Sequence, residues 1–170
     1  MAERTTVTVT QEVKELVFDV QNKAFLTGQA REAEGTNNYE SASNMQASDD
    51  EENLYQIKRS LSNAFSTLKV TLSEYLTEEG TTSNNKIPEA IDSDGTLTIS
   101  LSLPSNYNKA AADSLGNNIH SYLVDLTLGD WFAITNKKDA ADYISHAEVS
   151  AENIKRALYN RKRPARPTYV

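Results

Sequence analysis

The two histidines are the residues whose side chains could most readily ligate a metal or act as a general acid and base. His120 follows Ile119 at the edge of an apolar helical pattern, and His146 precedes Ala147. A metal site needs further His or carboxylate ligands at suitable spacing, and neither local sequence supplies them. Both are therefore interpreted as boundary or surface histidines. No catalytic residue, metal ligand or cofactor site is predicted.

Acidic and glycine-containing segments also lack a catalytic signature. Asp92-Ser93-Asp94-Gly95 resembles the start of a calcium loop, but a strand pattern follows where the remaining ligands should be. The chain has neither a P-loop nor a dinucleotide-binding glycine pattern. The acidic pairs Glu51-Glu52 and Glu78-Glu79 lie at predicted helix ends, where they cap or solvate the helix. The chain is therefore predicted not to be an enzyme.

The charge of the chain is divided between an acidic body and a basic end. The sequence holds 24 Asp and Glu against 17 Lys and Arg. From residue 155 onward there is no acidic side chain, whereas six are basic: Lys155, Arg156, Arg161, Lys162, Arg163 and Arg166. Residues 1–154 contain the other 11 basic residues and all 24 acidic ones, so their formal charge is −13. Such a division of charge indicates that the basic C-terminal segment binds a partner.

Residues 161–170 are predicted to form a basic extended arm behind a single domain of residues 1–160. Basic side chains at a helix C-terminus complement its dipole, and Pro164 and Pro167 favour an extended backbone beyond it. Three interpretations remain open: docking on the acidic surface of another subunit, a solvated tail, and nucleic-acid binding. The negative body argues against a general nucleic-acid binder because its field repels a duplex.

Trp131 and Phe132 are adjacent large aromatic residues in a predicted turn between two helices. They could fill the end of a helical bundle or anchor a partner subunit. The predicted partner interface consists of these two aromatic residues and the basic residues of the arm: Trp131, Phe132, Arg161, Lys162, Arg163 and Arg166.

The composition is typical of a small domain with a thin core. The chain of 170 residues is 38% hydrophobic, below the usual ~45–50%, so its helices should bury one stripe each and complete their burial in an oligomer. It contains no cysteine, which excludes disulfides and thiolate metal sites. No apolar run typical of a signal peptide or a membrane span is present, so a soluble protein without membrane partners is expected.

Apolar spacing predicts four helices. The first begins near Val13 and stops at Gly28, and the second follows a capping box at Ser48–Glu51 and extends to Gly80. The third runs from Ser105 or Asn106 to Gly129 and contains Gly116, which suggests close helix packing. Asp130–Asn136 then connects it to the fourth helix, which ends near Leu158. This short connection predicts an antiparallel helical hairpin.

Two segments alternate between apolar and polar residues as strands do: Thr5–Thr10 and Thr96–Leu103. They could pair with each other against a helix, or the second could extend the sheet of a neighbouring molecule. The polar segments 29–47 and 81–94 are predicted to be mobile loops. The predicted fold class is mainly α, a four-helix bundle with a small two-stranded β element.

The order of these features resembles that of small virion proteins of tailed bacteriophages. It comprises a helix, a long polar loop, a long helix, a β element, a tight helical hairpin and a basic Arg-Lys-Arg-Pro exit, with the segment Leu128–Lys137 at the hairpin. Among such proteins it is similar to the head–tail connector or neck-ring proteins of crAss-like phages of gut Bacteroidales. These are small helical bundles with an inserted β element and extended termini.

The resemblance implies a structural subunit of a phage neck that joins the portal to the tail. Its partners would be about a dozen copies of itself in a ring, the portal, and tail or further ring proteins. DNA would pass through an acidic lumen without sequence-specific binding. The expected location is the virion neck, with the host cytoplasm during assembly. The alternative is a cytoplasmic regulatory or nucleic-acid-associated module that acts through the basic tail.

Overall fold

The computed structural model describes residues 3–33, 43–83, 94–165 and 167. This part of the chain contains four long helices and two strands. In chain order these elements are β1 (Arg4–Glu12), α1 (Val13–Ala33), α2 (Glu51–Thr71), β2 (Thr96–Pro104), α3 (Ala112–Thr135) and α4 (Lys137–Leu158). A 3-10 turn at Lys109–Ala111 leads into α3. The predicted mainly α fold, a four-helix bundle with a small two-stranded β element, is confirmed.

The two strands pair with each other in an antiparallel sheet. Arg4 lies opposite Pro104 and Glu12 opposite Thr96, with an unbroken register between them. Alternation places one face of the sheet in the core, where the buried side chains are Val7, Val9, Leu97, Ile99, Leu101 and Leu103. Thr6, Thr8 and Thr10 of β1 lie on the opposite face and are exposed.

The segment that follows α2 covers the second edge of β2. The backbone N–H of Ser102 donates to the carbonyl of Tyr75 at 2.7 Å, and that of Thr77 donates to the carbonyl of Ser100 at 2.9 Å. Because β2 has a neighbour on both edges, the alternative that it extends the sheet of another molecule is wrong.

The first helix is longer than its glycine indicated. Gly28 lies inside α1, which continues to Ala33, so the polar loop predicted for 29–47 begins later. Part of this loop, residues 34–42, lies outside the described residues. A glycine costs a helix about 1 kcal/mol relative to Ala, and the contacts of α1 with α3 and α4 outweigh that cost.

The second helix begins without the predicted capping box. Its N-cap is Asp50, which makes no side-chain cap hydrogen bond. The Ser48 hydroxyl instead donates to Asp50 Oδ2 at 2.5 Å and accepts from Asn53 Nδ2 at 2.8 Å. The helix ends at Thr71, well before Gly80. Of the loop predicted for 81–94, residues 84–93 lie outside the described residues.

The helical hairpin of α3 and α4 is tighter than its sequence indicated. The segment predicted as a connector is helical through Thr135, and Asn136 alone joins the two helices. Gly129 lies inside α3, where a Cβ atom would come within 2.8 Å of Ile144 Cγ1 on α4. At Gly116 the nearest atom, Val9 Cγ1, would be 3.8 Å away. Close helix packing therefore depends on Gly129 rather than on Gly116.

Candidate functional site

The start of the predicted arm is part of the folded domain. The backbone N–H of Lys162 donates to the carbonyl of Asn106 at 2.8 Å, and that of Asn108 donates to the carbonyl of Asn160 at 3.2 Å. Arg161 donates from its guanidinium to the carbonyl of Leu158 at 2.6 Å, which satisfies a free carbonyl at the end of α4. Arg161 therefore completes the helix end, as basic residues at this position favour.

The arm leaves the domain after Lys162. The side chains of Lys162 and Arg163 are exposed, as are Pro164, Ala165 and Pro167. Arg166, the remaining basic residue of the predicted interface, lies outside the described residues. Arg163 consequently lies just beyond Lys162, whose N–H donates the last backbone hydrogen bond to the body among the described residues.

Trp131 and Phe132 are buried within their own chain. The indole Nε1 of Trp131 donates to the carbonyl of Met45 at 2.9 Å and thereby holds the short helical turn 43–45 against α3. The ring of Phe132 stacks on Tyr143 of α4, with 5.4 Å between the ring centres. The partner contact predicted for these two residues stays a prediction. The surface that they offer to a partner is small, since 8% of Trp131 and none of Phe132 is exposed.

A row of polar residues on α1 was not anticipated from the sequence. From Asp19 onward, every fourth residue of the helix contacts α3 or α4 through a polar side chain. The four members of this α1 polar row are Asp19, Lys23, Thr27 and Arg31. Residues four apart lie on one face of a helix, so the row runs along one side of the buried apolar stripe. The bundle is thus held by specific polar contacts as well as by apolar burial.

The most buried ion pair of the row joins Arg31 to Asp139 at the start of α4. The guanidinium donates through Nε to Asp139 Oδ2 at 3.1 Å and through a second nitrogen to Oδ1. The side chain of Asn136 also donates to this carboxylate. Asp139 lies in the first turn of α4, where the helix dipole favours a negative charge. The carboxylate is fully engaged in joining α1 to the hairpin.

His120 bridges three elements through its two ring nitrogens. Nε2 lies 2.6 Å from Asp19 Oδ2 on α1, and Nδ1 lies 3.0 Å from Gln11 Oε1 on β1. His146 instead packs edge-on against Tyr143. Within the described residues, no group of three or more His, Asp or Glu side chains is placed to hold a metal ion. His120 therefore holds α3 against α1 and β1.

Shallow grooves flank the α1 polar row. One of about 570 Å³ is lined by Lys23, Leu26, Thr27, Ala30, Arg31, Asp125, Tyr143 and His146. Its charged groups are already paired: Lys23 Nζ lies 2.9 Å from Asp125 Oδ1, and Arg31 is held by Asp139. The groove therefore offers few free polar groups that could orient a small molecule.

The outer face of α1 carries exposed apolar side chains. Phe18 and Phe25, which lie seven residues apart, expose 61% and 44% of their surface, and the neighbouring Leu26 exposes 54%. Helical spacing alone would place both phenylalanines beside the apolar stripe. Clustered exposed aromatics are common at protein interfaces, so this face is a second candidate contact surface beside the arm.

Comparisons with known proteins give no family for this chain. None of the helices in the described ranges combines the length and apolar character that a membrane crossing requires. No protein-family model matches the sequence, and neither the curated proteins nor the solved structures include one with significant similarity to it.

Proposed function

We propose that this chain is a structural subunit of a phage neck, a head–tail connector ring protein that joins the portal to the tail and lines the DNA channel. The observation that carries the proposal is the spatial separation of an acidic helical body from a basic arm. The arm is held to the body as far as Lys162, and its described residues beyond that point, 163–165 and 167, are exposed.

The arm is suited to bind a neighbouring copy. Its basic residues face a body with a formal charge of −13 over residues 1–154, so attraction between arm and body is available at every subunit contact. An arm from one copy that docks on the next generates a head-to-tail contact, which closes into a ring when the rotation permits. A ring of about a dozen such copies is the assembly that we propose.

The acidic body is suited to line a DNA channel. Negative side chains repel the phosphate backbone, so DNA would slide through the lumen without sequence-specific binding. The apolar outer face of α1, with Phe18, Phe25 and Leu26, offers a surface for the portal, the tail or a further ring protein. The expected location is the virion neck, with the host cytoplasm during assembly.

A second candidate function is a cytoplasmic regulatory or nucleic-acid-associated module. It is favoured by the exposure of Lys162 and Arg163 beside two prolines, which leaves the cations accessible to phosphates. DNA binding with a steep dependence on salt concentration would support this function. The charge of the body opposes it.

Mass spectrometry of purified virions tests the neck assignment. The phage or prophage that encodes the chain would be purified, and peptides of this chain would be quantified against those of the portal protein. A copy number close to that of the portal supports the neck function. Absence of the peptides from intact particles, with portal peptides readily detected, contradicts it and shifts the assignment to the cytoplasmic module.

A further inference from the structure

The outer edge of β1 has no backbone partner within the described parts of the chain. Among the described residues, the backbone hydrogen bonds of this strand run to β2, to the residues directly flanking β2 and, from the Glu12 carbonyl, into the first turn of α1. The other edge of the same sheet is covered by the segment 75–82 through hydrogen bonds to Ser100 and Ser102. Within the described residues, one edge of the sheet is thus closed and the other is open.

The pairing with β2 determines which backbone groups face the open edge. At the two ends of the ladder, Ser105 donates to the carbonyl of Glu3, and Val13 donates to the carbonyl of Gly95. Odd-numbered residues of β1 therefore point their N–H and C=O groups toward β2. Since this direction alternates along an antiparallel strand, the even-numbered residues face the open edge: Arg4, Thr6, Thr8, Thr10 and Glu12.

This edge lacks the features that normally prevent pairing with another strand. Between Arg4 and Glu12 the strand contains no charged residue and no proline. Its register against β2 is continuous, so no bulge turns the edge away. Long, regular, uncharged edge strands are templates for a further strand unless they are covered.

We propose that the open edge of β1 pairs with β1 of a second copy of this chain, antiparallel, about a twofold axis at Thr8. In this register Arg4 lies opposite Glu12 of the second copy, and Thr6 lies opposite Thr10. The same contacts occur on the other side of the axis. Each end of the paired strands therefore carries one pair of opposite charges, and no like charges meet.

The backbone and the side chains both fit this register. Every even-numbered residue of one strand meets an even-numbered residue of the other, so the central pairs Thr6–Thr10 and Thr8–Thr8 can each exchange two hydrogen bonds. Arg4 and Glu12 are exposed on the same face of the sheet, where cross-strand pairs interact. The result is a continuous four-stranded sheet in the order β2-β1-β1-β2.

A groove beside β1 provides room for a side chain of the second strand. Its volume is about 500 Å³, and it lies between the end of β1 and the start of α3, where the lining residues are Thr8, Val9, Thr10, Gln11, Ala112, Asp113, Gly116 and Asn117. Val7 of the second copy would lie opposite Val9 and point toward this groove. Gly116 carries no side chain there, which keeps the groove open.

The β1 contact goes beyond the proposed neck function. A twofold contact joins two copies and closes, whereas a ring requires a head-to-tail contact. The β1 dimer is measured with the purified chain, and the neck function is measured in virions. A negative result for the β1 dimer therefore does not contradict the neck function, and a negative result in virions does not contradict the β1 dimer.

Exchange of the two charges tests the register. Sedimentation equilibrium of the full chain, over a range of protein concentrations, measures the dimer dissociation constant for the wild type, Arg4→Glu, Glu12→Arg and the double variant. Each single variant places like charges opposite each other at both ends of the strand pair and should weaken the dimer about tenfold. The double variant restores opposite charges and should return to within about threefold of the wild type. If the double variant loses as much dimerisation free energy as the two single variants together, the proposed register is wrong.

A proline at the axis tests the use of the edge itself. The N–H of residue 8 faces away from β2, so Thr8→Pro leaves the bonds between β1 and β2 in place and should abolish the dimer with unchanged circular dichroism. Thr8→Val is the matched control and should dimerise like the wild type. A monomeric wild-type chain at millimolar concentration would overturn the proposal. Dimerisation of the Thr8→Pro variant would also overturn it. Loss of the dimer when residues 163–170 are removed would overturn it as well, because the contact would then depend on the arm.

Discussion

The hydroxyl of Tyr107 is buried and has no hydrogen-bond partner among the described residues. The ring is fully enclosed. Burial raises the pKa of the phenol, while the nearby Arg161 acts in the opposite direction. Tyr107 lies at the connection between β2 and α3, whose backbone pairs with the start of the arm at Arg161.

Removal of this hydroxyl should stabilise the protein. Tyr107→Phe keeps the ring and removes an unsatisfied buried group, so the free energy of unfolding at pH 7 should rise by about 1 kcal/mol in urea denaturation. Tyr107→Ala, which also removes the ring, should lower it by about 3 kcal/mol. A loss of stability in Tyr107→Phe would mean that the hydroxyl has a partner.

The raised pKa of Tyr107 also predicts the behaviour at alkaline pH. The folded state holds the proton more tightly than the unfolded state, whose tyrosine pKa is about 10. Ionisation of this phenol therefore does not affect the stability of the protein below about pH 10. Stability falls as the pH rises from there through the folded-state pKa, because burial disfavours the charged phenolate. The advantage of Tyr107→Phe should accordingly be larger at pH 11 than at pH 9.

Single residues also show where sequence reasoning stopped. The sequence marks Trp131 and Phe132 as large aromatics at one end of a helical pair, which fits both a bundle-filling role and a partner contact. Only the packed structure places the indole on the Met45 carbonyl and the phenyl ring on Tyr143. His120 is similar, since its partners Gln11 and Asp19 are about a hundred positions away in the chain.

At the scale of elements, the α3–α4 hairpin depends on the close approach at Gly129. Ile144 Cγ1 occupies the space that a Cβ atom at residue 129 would need. Because Cγ1 is bound directly to the β-branched carbon of Ile144, it moves only if the preferred rotamer changes. The hairpin therefore gains tight packing at the cost of a glycine within a helix.

Substitution of Gly129 measures this trade. Gly129→Ala gains up to about 1 kcal/mol of helix propensity but collides with Ile144, so we expect a net loss of about 1 kcal/mol. In an Ile144→Ala background the collision is absent, and Gly129→Ala should then stabilise. Gly116→Ala is the control: it should stabilise the wild type by up to about 1 kcal/mol, because the new methyl group meets Val9 only at ordinary contact distance. Thermal unfolding of the variants measures all three changes, and equal effects of Gly129→Ala in both backgrounds would contradict this account.

At the scale of the whole molecule, the boundary between domain and arm lies two residues later than the sequence indicated. Arg161 and Lys162 belong to the domain through their contacts with Leu158 and Asn106. Arg163 begins the exposed arm. Two truncations that differ by these two residues therefore separate folding from assembly.

Deletion of residues 163–170 should leave the free energy of unfolding unchanged within about 0.5 kcal/mol. Deletion of residues 161–170 should lower it by about 1–2 kcal/mol, because a backbone hydrogen bond and the helix-end contact of Arg161 are lost. Under the proposed neck function, both truncations should weaken ring assembly, which incorporation into virions measures. Normal incorporation of the 163–170 deletion would show that the arm is not an assembly element.

The sequence by itself determined which segments are helices and strands, which side of each is apolar, and how the charge divides between body and arm. Those properties depend on residue spacing and composition along the chain, and both are local. Helix ends were predicted less well: Gly28 and Gly129 lie inside helices because contacts with other elements outweigh the helix-breaking tendency of glycine.

Only the tertiary structure decided which surfaces remain available. Strand alternation predicts a buried face, but it does not distinguish the edge of β2 that residues 75–82 cover from the open edge of β1. The spacing of Phe18 and Phe25 marks a helical face, but their exposure depends on where α3 and α4 lie. These outcomes depend on contacts between residues far apart in the chain, which local periodicity does not encode.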